Sequence, residues 1–500
     1  MRKAKAIMVQ GTGSGVGKSI IVAALCRIFL QDGYRVAPFK AQNMSLNSFV
    51  TAESGEIGRA QAVQAQACRI EPAVDMNPVL LKPTSEVGAQ VILRGKPIGN
   101  MSAVQYAGYK PKLIGTVRKS LDKLLNEYDI VVIEGAGSPA EINLKAHDIV
   151  NMKMAEYANA PVILAADIDK GGVFAWLWGT IDLLADEEKK RIKALLINKF
   201  RGDKGLLRPG IRYLEKKTNK KVLGVIPYFQ DISIPEEDSL APQRAGPSQK
   251  AVLKIEVIKL PHISNFTDFD CLQRERGVDL KFLAATEPIS PDCDILIIPG
   301  TKNTIYDFNY LKNKGYVRQI IELKEKGREI IGICGGFQML GKAIVDPWGI
   351  ESNQRQTRGL GFLNMLTTLG KGKILSQVRA RELSRGIELS GYEIHHGRTK
   401  VLGNLRPVFE IIAGKGKRVK IEDGAKSSEG NVWGTYIHGI FDNEAFRKAF
   451  LEQIIRKNNK SLNLSWGSGR PFNQDEEFDK LARLVRKNID TGFLYGIINH

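Results

Sequence analysis

The sequence predicts two α/β domains in tandem, each a parallel sheet with helices on both faces. Three observations predict it. Short β-branched runs alternate with helical stretches through both halves of the chain. A glycine-rich turn ending in Gly17-Lys18-Ser19 joins the first strand to the first helix. In the second half a lone cysteine and two glycines, Cys334-Gly335-Gly336, follow another strand and open an apolar helix. Strand-helix alternation implies parallel strands joined by crossover helices, and such strands are buried on both faces and read as continuous apolar runs.

In order along the chain, Ala6–Val9, Arg35–Phe39, Ile130–Ile133, Val162–Ala165, Ala194–Ile197 and Val222–Ile226 read as buried strands. Helical patterns lie between them at Ser19–Leu30, Ile57–Cys68 and Ile149–Tyr157. The stretch Pro235 to Lys250 is polar and proline-rich, which marks a linker at 236–250 between a domain at 1–235 and a domain at 251–450. The alternation restarts with Leu253–Ile258, Ile295–Ile298, Glu329–Ile333, Tyr392–Ile394 and Val432–Tyr436. Residues 451–500 form a C-terminal extension, polar at first and helical at Phe478–Asn488, whose role the sequence does not give.

Composition excludes several classes. At 500 residues the chain exceeds one ordinary core, and 43% hydrophobic with 25% charged residues is globular. No apolar run reaches the roughly 18–20 residues needed to cross a bilayer, and the N-terminus runs directly into a strand and a glycine loop without a cleavage site. Membrane association is therefore not expected. Five scattered cysteines without a CxxC pair argue against a disulfide framework or zinc site and for a reducing, cytoplasmic setting. The net charge of +19 suits anionic ligands. Without a compact basic tract interleaved with aromatics, it points to a nucleotide and a polycarboxylate before nucleic acid.

The turn Gly11-Thr-Gly13-Ser14-Gly15-Val16-Gly17-Lys18-Ser19 is a phosphate loop. Its glycines let successive N–H groups face phosphate oxygens, and the helix it opens adds partial positive charge. Lys18 is placed to reach the outer phosphates and Ser19 to ligate Mg²⁺. The usual first glycine of the motif is Thr12 here, and the resulting form resembles the dethiobiotin synthetase-like branch of P-loop enzymes. Glu134 ends the strand Val-Val-Ile-Glu, at the ligand edge of an open sheet, where it is a second Mg²⁺ ligand candidate. Asp167 and Asn198 end two further strands; the Asn198 amide is a candidate to read an adenine edge.

Ile331-Gly-Ile-Cys334-Gly335-Gly336-Phe-Gln338 reads as a strand-turn-helix elbow presenting a nucleophile. The helix N-terminus favours thiolate, and the Gly335 N–H is a candidate oxyanion donor, with a second at Gly300 in the Pro299-Gly300-Thr301 turn. A cysteine nucleophile needs a base. His438, after the strand at 432–436, is the first candidate; His395 and His396 compete, and either could instead shape a substrate pocket. His147 and His262 are weaker candidates, since one lies in the first domain and the other at the start of the second.

The elbow and the late His438 resemble class I glutamine amidotransferases. The position two after the histidine, a glutamate in their usual form, is Ile440 here. The orienting carboxylate is thus missing or comes from elsewhere, as in the group holding the cobyric and cobyrinic acid amidating enzymes. The first domain narrows the resemblance. Phe39-Lys-Ala-Gln-Asn-Met-Ser-Leu-Asn-Ser, Glu56-Ile-Gly-Arg-Ala-Gln, Asn77-Pro-Val-Leu-Leu-Lys-Pro, Glu134-Gly-Ala-Gly-Ser-Pro-Ala-Glu-Ile-Asn-Leu, Asp167-Ile-Asp-Lys-Gly-Gly-Val-Phe-Ala and Asn198-Lys-Phe-Arg-Gly-Asp are similar to the cobyric acid synthase family. The resemblance spans nearly the whole chain.

It implies ATP- and glutamine-dependent amidation of the b, d, e and g carboxylates of adenosylcobyrinic acid a,c-diamide, with ATP and Mg²⁺ at the P-loop and L-glutamine at Cys334. Lys40, Asn43 and Arg59, in the family-specific segments, become candidates to hold the corrin's side chains, and Asp148 a candidate to assist phosphoryl transfer. Free ammonia is lost to bulk water, so a shielded route is expected, although no residue reveals it. The nearest rivals are the sister enzyme that amidates the a and c carboxylates and other P-loop/glutaminase ligases, such as one acting on a cell-wall lipid precursor. A P-loop ATPase switch with an inactive glutaminase-like module is the non-enzyme rival, and a stand-alone glutaminase subunit is a further one. Oligomeric state and the order of amidations are not readable.

Overall fold

The computed structural model describes residues 4–85, 88–235, 251–284, 286–460 and 473–499. The chain divides into two compact units: Met1–Ser45, Gly55–Ser239 and Asn473–His500 form the first, and Leu46–Ser54 with Leu240–Phe472 the second. The linker expected at 236–250 lies outside the described residues.

The first unit is built on a six-stranded parallel sheet in the order Lys221–Pro227, Ile192–Phe200, Val162–Asp167, Lys5–Gly11, Ile130–Glu134, Val36–Phe39. Each expected strand is present and buried, because Val, Ile, Leu and Ala fill both of its faces. The strand Lys5–Gly11 lies between Ile130–Glu134 and Val162–Asp167, although it precedes both in sequence. Its C-terminal turn therefore opens at a point where the chain crosses over, the ligand position of open α/β sheets.

Two features of this unit are absent from the sequence reading. Gln42–Met44, Val79–Ser85, Gly88–Leu93 and Lys96–Ser102 form a separate four-stranded sheet. Nearby, Lys82 Nζ donates to Glu56 Oε1 at 2.8 Å with both side chains almost wholly buried. The residues 451–500, expected to be one extension, divide: the helix Glu444–Lys457 belongs to the second unit, whereas Gln474–Asn488 and Thr491–Asn499 belong to the first. Phe478, Leu481, Ala482 and Val485 pack with Ile21, Leu25, Ile28 and Phe29 of the helix Lys18–Gln31. Arg27 on that helix is fully buried and pairs with Asp475 and, at 2.7 Å, with Asp479.

The second unit has a sheet in the order Val278–Leu283, Leu253–Ile258, Ile295–Ile298, Glu329–Ile333, Val432–Thr435, parallel throughout, with Ala425–Lys426 added antiparallel at the edge. The strand expected at Tyr392–Ile394 is not part of it. Those residues lie in Glu388–Val401, the antiparallel partner of the 18-residue strand Met365–Glu382, within a second sheet. The alternating pattern of Met365–Glu382, buried at every other residue over its first turns of pleat, is the period-two signature of a strand with one face covered.

Candidate active sites

In the first unit the phosphate loop has its crest, Ser14 and Gly15, exposed, while Val16 and Lys18 are buried beneath it. Gly15 and Gly17 sit at φ 72° and 93°, which only glycine adopts freely. Lys18 Nζ curls back to donate to Gly13 O at 2.8 Å and to Gly137 O at 3.1 Å. Ser19 Oγ donates to Glu134 Oε1 at 2.8 Å. The two Mg²⁺ ligands expected from sequence are therefore adjacent, one opening the helix and the other closing the neighbouring strand.

Glu134 also accepts from Lys40 Nζ at 2.8 Å and from Gln64 Nε2. Burial pushes this carboxyl up, but the Lys40 ammonium and the two hydrogen bonds outweigh it, and the pKa lies below the ordinary glutamate value. Glu134 is thus an ionised carboxylate enclosed by donors. Lys40, a candidate from the sequence to hold the corrin's side chains, is a buried member of the Glu134 cluster. Gln64, which the sequence reading passed over, completes the cluster from the helix Arg59–Ala67, whose first residue is Arg59.

The remaining candidates of this unit also acquire definite places. Asn198 Nδ2 donates to Val16 O at 2.9 Å, and a Cβ on Gly17 would overlap that same amide. Asn198 therefore braces the phosphate loop. Asn43 is buried, donates to Gln61 Oε1 at 3.0 Å and accepts from Met44 N–H. Asp148 accepts from the N–H groups of Val150 and Asn151 at 2.8 and 2.9 Å and of Lys153 at 3.2 Å. Its carboxylate thus holds the turn ahead of the helix Met152–Tyr157 and reaches into the helix's first turn. Asn151 grips the loop after Glu134, donating to Ala136 O at 2.7 Å and accepting from Ala136 N–H at 3.1 Å. Asp167 pairs with Lys199 at 2.9 Å.

In the second unit Cys334 stands between the strand Glu329–Ile333 and the helix Gly335–Leu340, at φ 51° and ψ −105°. A non-glycine residue in this region stores strain, and such outliers cluster at functional sites. The neighbouring glycines explain how the elbow closes. A Cβ on Gly336 would overlap Ile298 O, and one on Gly335 would come within 2.7 Å of Thr301 Cγ2. Gly335 is the first residue of its helix, so its N–H has no carbonyl one turn back and is free to face an oxyanion. Gly300 lies against the histidine: its Cβ would meet His438 Cε1 at 2.9 Å.

The structure supplies the carboxylate that the sequence left open. Asp268, in the short helical turn Phe266–Phe269, accepts from His438 Nδ1 at 2.6 Å and from Gly439 N–H at 3.2 Å. Asn265 at φ 54° begins that turn, and Asn47 and Ser48 hold it: Phe266 N–H donates to Asn47 Oδ1 and Ser48 N–H to Asn265 Oδ1. With Nδ1 committed, His438 Nε2 is buried and makes no other hydrogen bond that satisfies normal geometry. Burial alone would lower the His438 pKa, yet Asp268, with a smaller contribution from the Cys334 side chain, raises it to about 10. The imidazole thus lies within interaction range of the thiol. Tyr392 stacks on its ring at 5.2 Å, and backbone hydrogen bonds tie the two residues together.

The competing histidines are engaged elsewhere. His395 Nδ1 bonds Gly397 O at 2.9 Å, its Nε2 meets Glu393 at 3.3 Å, and its ring stacks on Tyr436 at 3.8 Å. His396 Nδ1 bonds Gly370 O at 3.1 Å, and His262 is tied to Asp307 at 2.7 Å. His147 sits exposed in the turn Lys145–His147 of the first unit. Only a weak signal in the sequence pointed to Asp268: an acidic residue in a Phe-Thr-Asp-Phe turn, far from His438 along the chain, looks like any loop cap.

Comparison with known proteins gives a family match in each half of the chain. The CobQ/CobB/MinD/ParA nucleotide binding domain matches residues 7–241, and the CobB/CobQ-like glutamine amidotransferase domain matches residues 254–446. The cobyric acid synthase of Thermoanaerobacter sp. (strain X514) is 50% identical over 501 residues, covering 98% of each chain. That of Dehalococcoides mccartyi (strain CBDB1) is 50% identical over 505 residues and that of Syntrophobacter fumaroxidans (strain DSM 10017 / MPOB) 46% over 509, each covering 99% of both chains. Among the described residues no helix is long and apolar enough to cross a membrane. By sequence over its whole length and by the two domains it carries, this chain belongs to the cobyric acid synthase family.

Proposed function

We propose that the chain amidates the b, d, e and g carboxylates of adenosylcobyrinic acid a,c-diamide, taking nitrogen from L-glutamine and driving the reaction with ATP. The observation that carries this reading is the Cys334–His438–Asp268 arrangement, in which Nδ1 is fixed and Nε2 remains for the thiol. Around it stands a chain whose other unit holds an intact phosphate loop.

The nitrogen-releasing half follows from the geometry. Cys334, reacting as the thiolate with His438 as its imidazolium partner, attacks the side-chain amide carbon of glutamine. The Gly335 N–H, with Gly300 proposed as the second donor, faces the oxyanion. His438 passes its proton to the departing nitrogen, ammonia leaves, and a thioester remains. Water, deprotonated by His438, then adds to the thioester carbon, releasing glutamate and restoring the thiol.

The activating half answers a different difficulty. A carboxylate does not accept ammonia at neutral pH because it has no adequate leaving group. An oxygen of the substrate carboxylate forms a bond to the γ-phosphorus of ATP as the bond to the β,γ-bridging oxygen breaks, and ADP leaves with that electron pair. Ammonia then adds to the acyl carbon, phosphate departs and a proton is lost. Lys18 and the loop N–H groups orient the phosphates. The donor set of Ser19 Oγ and the ionised Glu134 carboxylate consists of hard oxygens and fits Mg²⁺, which uses one or two protein ligands and completes its shell with water and phosphate. Bound there, the ion would neutralise charge on the phosphates.

The test is product identity. The chain is incubated with cobyrinic acid a,c-diamide in adenosylated form, ATP, Mg²⁺ and amide-labelled glutamine, and the corrin is weighed by mass spectrometry. Labelled nitrogen replacing hydroxyl at each of the b, d, e and g positions is expected. Acceptance of cobyrinic acid itself at a and c, with no reaction on the diamide, would assign the sister activity instead. Cys334→Ala should lose glutamine use and keep turnover with high ammonium, whereas Lys18→Ala should lose both.

A further inference from the structure

The segment Asp167-Ile168-Asp169-Lys170-Gly171-Gly172 follows the strand beside the phosphate loop, and the account above leaves Lys170 without a role. Three observations single it out. Its ammonium lies 3.6 Å from the position a Cβ on Gly15 would occupy, so it overhangs the crest of the phosphate loop. It is exposed and takes part in no hydrogen bond or ion pair among the described residues. The two carboxylates flanking it are each neutralised by another cation: Asp167 by Lys199 at 2.9 Å and Asp169 by Arg201 at 2.9 Å. Lys199 also donates to Gly15 O at 2.7 Å, which ties that side of the crest down.

The turn is shaped to hold the lysine there. Gly171 and Gly172 are both left-handed, at φ 78° and 69°, and they reverse the chain into the helix Val173–Asp182. A Cβ on Gly172 would approach Trp176 Nε1 to 3.2 Å, so the indole closes over the back of the turn. A lysine side chain that points at a loop built to hold phosphate, with its neighbouring acids already paired, is a cation in reserve.

We propose that Lys170 is a second phosphate-binding cation of the ATP site, acting on the γ-phosphoryl group from the side of the loop opposite Glu134. This rests on the reading of the first unit as an ATP-dependent activating site. Attack of a carboxylate on a triphosphate brings two anions together, and a mobile ammonium at the crest offsets that repulsion as the phosphorus moves from ADP to the carboxylate oxygen. Lys18, held beneath the loop by carbonyl groups, serves the phosphates from within.

Nucleotide binding separates this role from a structural one. Equilibrium binding of ATP, ADP and a non-hydrolysable ATP analogue is measured for the full chain, Lys170→Ala, Lys170→Arg and Lys18→Ala, with thermal melts as a folding control. Amidation is followed with ammonium as nitrogen source, so that the cysteine site does not enter. Lys170→Ala should bind the ATP analogue about 10-fold more weakly, corresponding to loss of one charged contact, and bind ADP as before. Its ammonium-driven turnover should fall roughly 100-fold. Lys170→Arg should recover most of both. An unchanged ratio of ATP to ADP affinity in Lys170→Ala, whether both are retained or both are lost, overturns the proposal. If Lys18→Ala also binds ATP normally, the ATP-site reading itself fails, which is a distinct result.

Discussion

His438 gives its Nδ1 to Asp268 Oδ2 at 2.6 Å, although 170 positions separate the two residues. The pair sets the tautomer of the imidazole and its charge. Replacing Asp268 by Asn keeps the shape and removes the charge. The first expected outcome is a fall in glutamine hydrolysis of roughly 10²–10⁴-fold, with ammonium-driven amidation retained. A pH profile checks the cause. Asp268 raises the His438 pKa to about 10 against the opposing effect of burial, so the imidazolium persists through neutral pH. In Asp268→Asn that support is lost, and the His438 ring, followed by NMR, should titrate at lower pH. For the folded chain, a raised pKa means that the His438 contribution to stability is complete below the ordinary histidine value and is lost as pH rises through about 10. Ring titration curves that coincide for wild type and variant would remove Asp268 from the arrangement.

Strain at Cys334 gives a second prediction. Cys334 holds φ 51° and ψ −105°, a conformation that costs a non-glycine residue about 1–3 kcal/mol. Cys334→Ala keeps that cost and Cys334→Gly relieves it, less about 0.5–1 kcal/mol for the added freedom of the unfolded chain. The glycine variant should therefore melt above the alanine variant, by calorimetry on the full chain, while neither uses glutamine. A lower melt for glycine would show that the elbow is relaxed.

The parallel sheets were legible in the sequence because their strands are buried on both faces: Leu253–Ile258, Ile295–Ile298 and Glu329–Ile333 end where their apolar runs end. Lys18 and Ser19 open the helix after the glycine turn, and Cys334 and His438 each follow a strand and precede a glycine, so their local settings could be read from the sequence. What escaped depends on distant pairing. Asp268, Gln64 and Asn151 matter through partners in other segments, and nothing local distinguishes them from caps and helix-surface amides. The strands Met365–Glu382 and Glu388–Val401 mix polar and apolar residues, because one face is covered and the other is not, and they leave no continuous run to recognise. The partners of Lys40 and Asp148 were not legible either, a buried carboxylate for one and the N–H groups ahead of a helix for the other.

The C-terminal helices yield a third prediction. Phe478 is 1% exposed and packs with residues of the helix that follows the phosphate loop, and Arg27 lies near its ring at 5.8 Å. Phe478→Ala should destabilise the first unit by about 3–5 kcal/mol, the usual cost of an emptied phenylalanine site. Chemical denaturation followed by loss of ATP binding measures it. A change below about 0.5 kcal/mol, the range of surface substitutions, would mean that the terminal helices only rest on the surface.

The Glu134 cluster gives the last. Lys40 is the ion-pair partner of a fully buried, ionised carboxylate, and removing one partner of such a pair typically costs about 3–5 kcal/mol because the other charge remains uncompensated. Lys40→Met should lose stability on that scale. The pH dependence has a definite sign. With its pKa held below the ordinary glutamate value, Glu134 contributes stability that is complete above that value and is lost as pH falls through the lowered one. Without Lys40, burial dominates and raises the pKa, so the variant should instead gain stability on mild acidification. Adding Glu134→Gln removes the unpaired charge. The double variant should regain most of the lost stability at neutral pH and still fail in ATP-dependent amidation, because the carboxylate beside Ser19 is gone. Urea denaturation of the four species at two pH values checks this. Losses that simply add would show that Lys40 and Glu134 stabilise the chain independently, and the ion pair would then be incidental to the site.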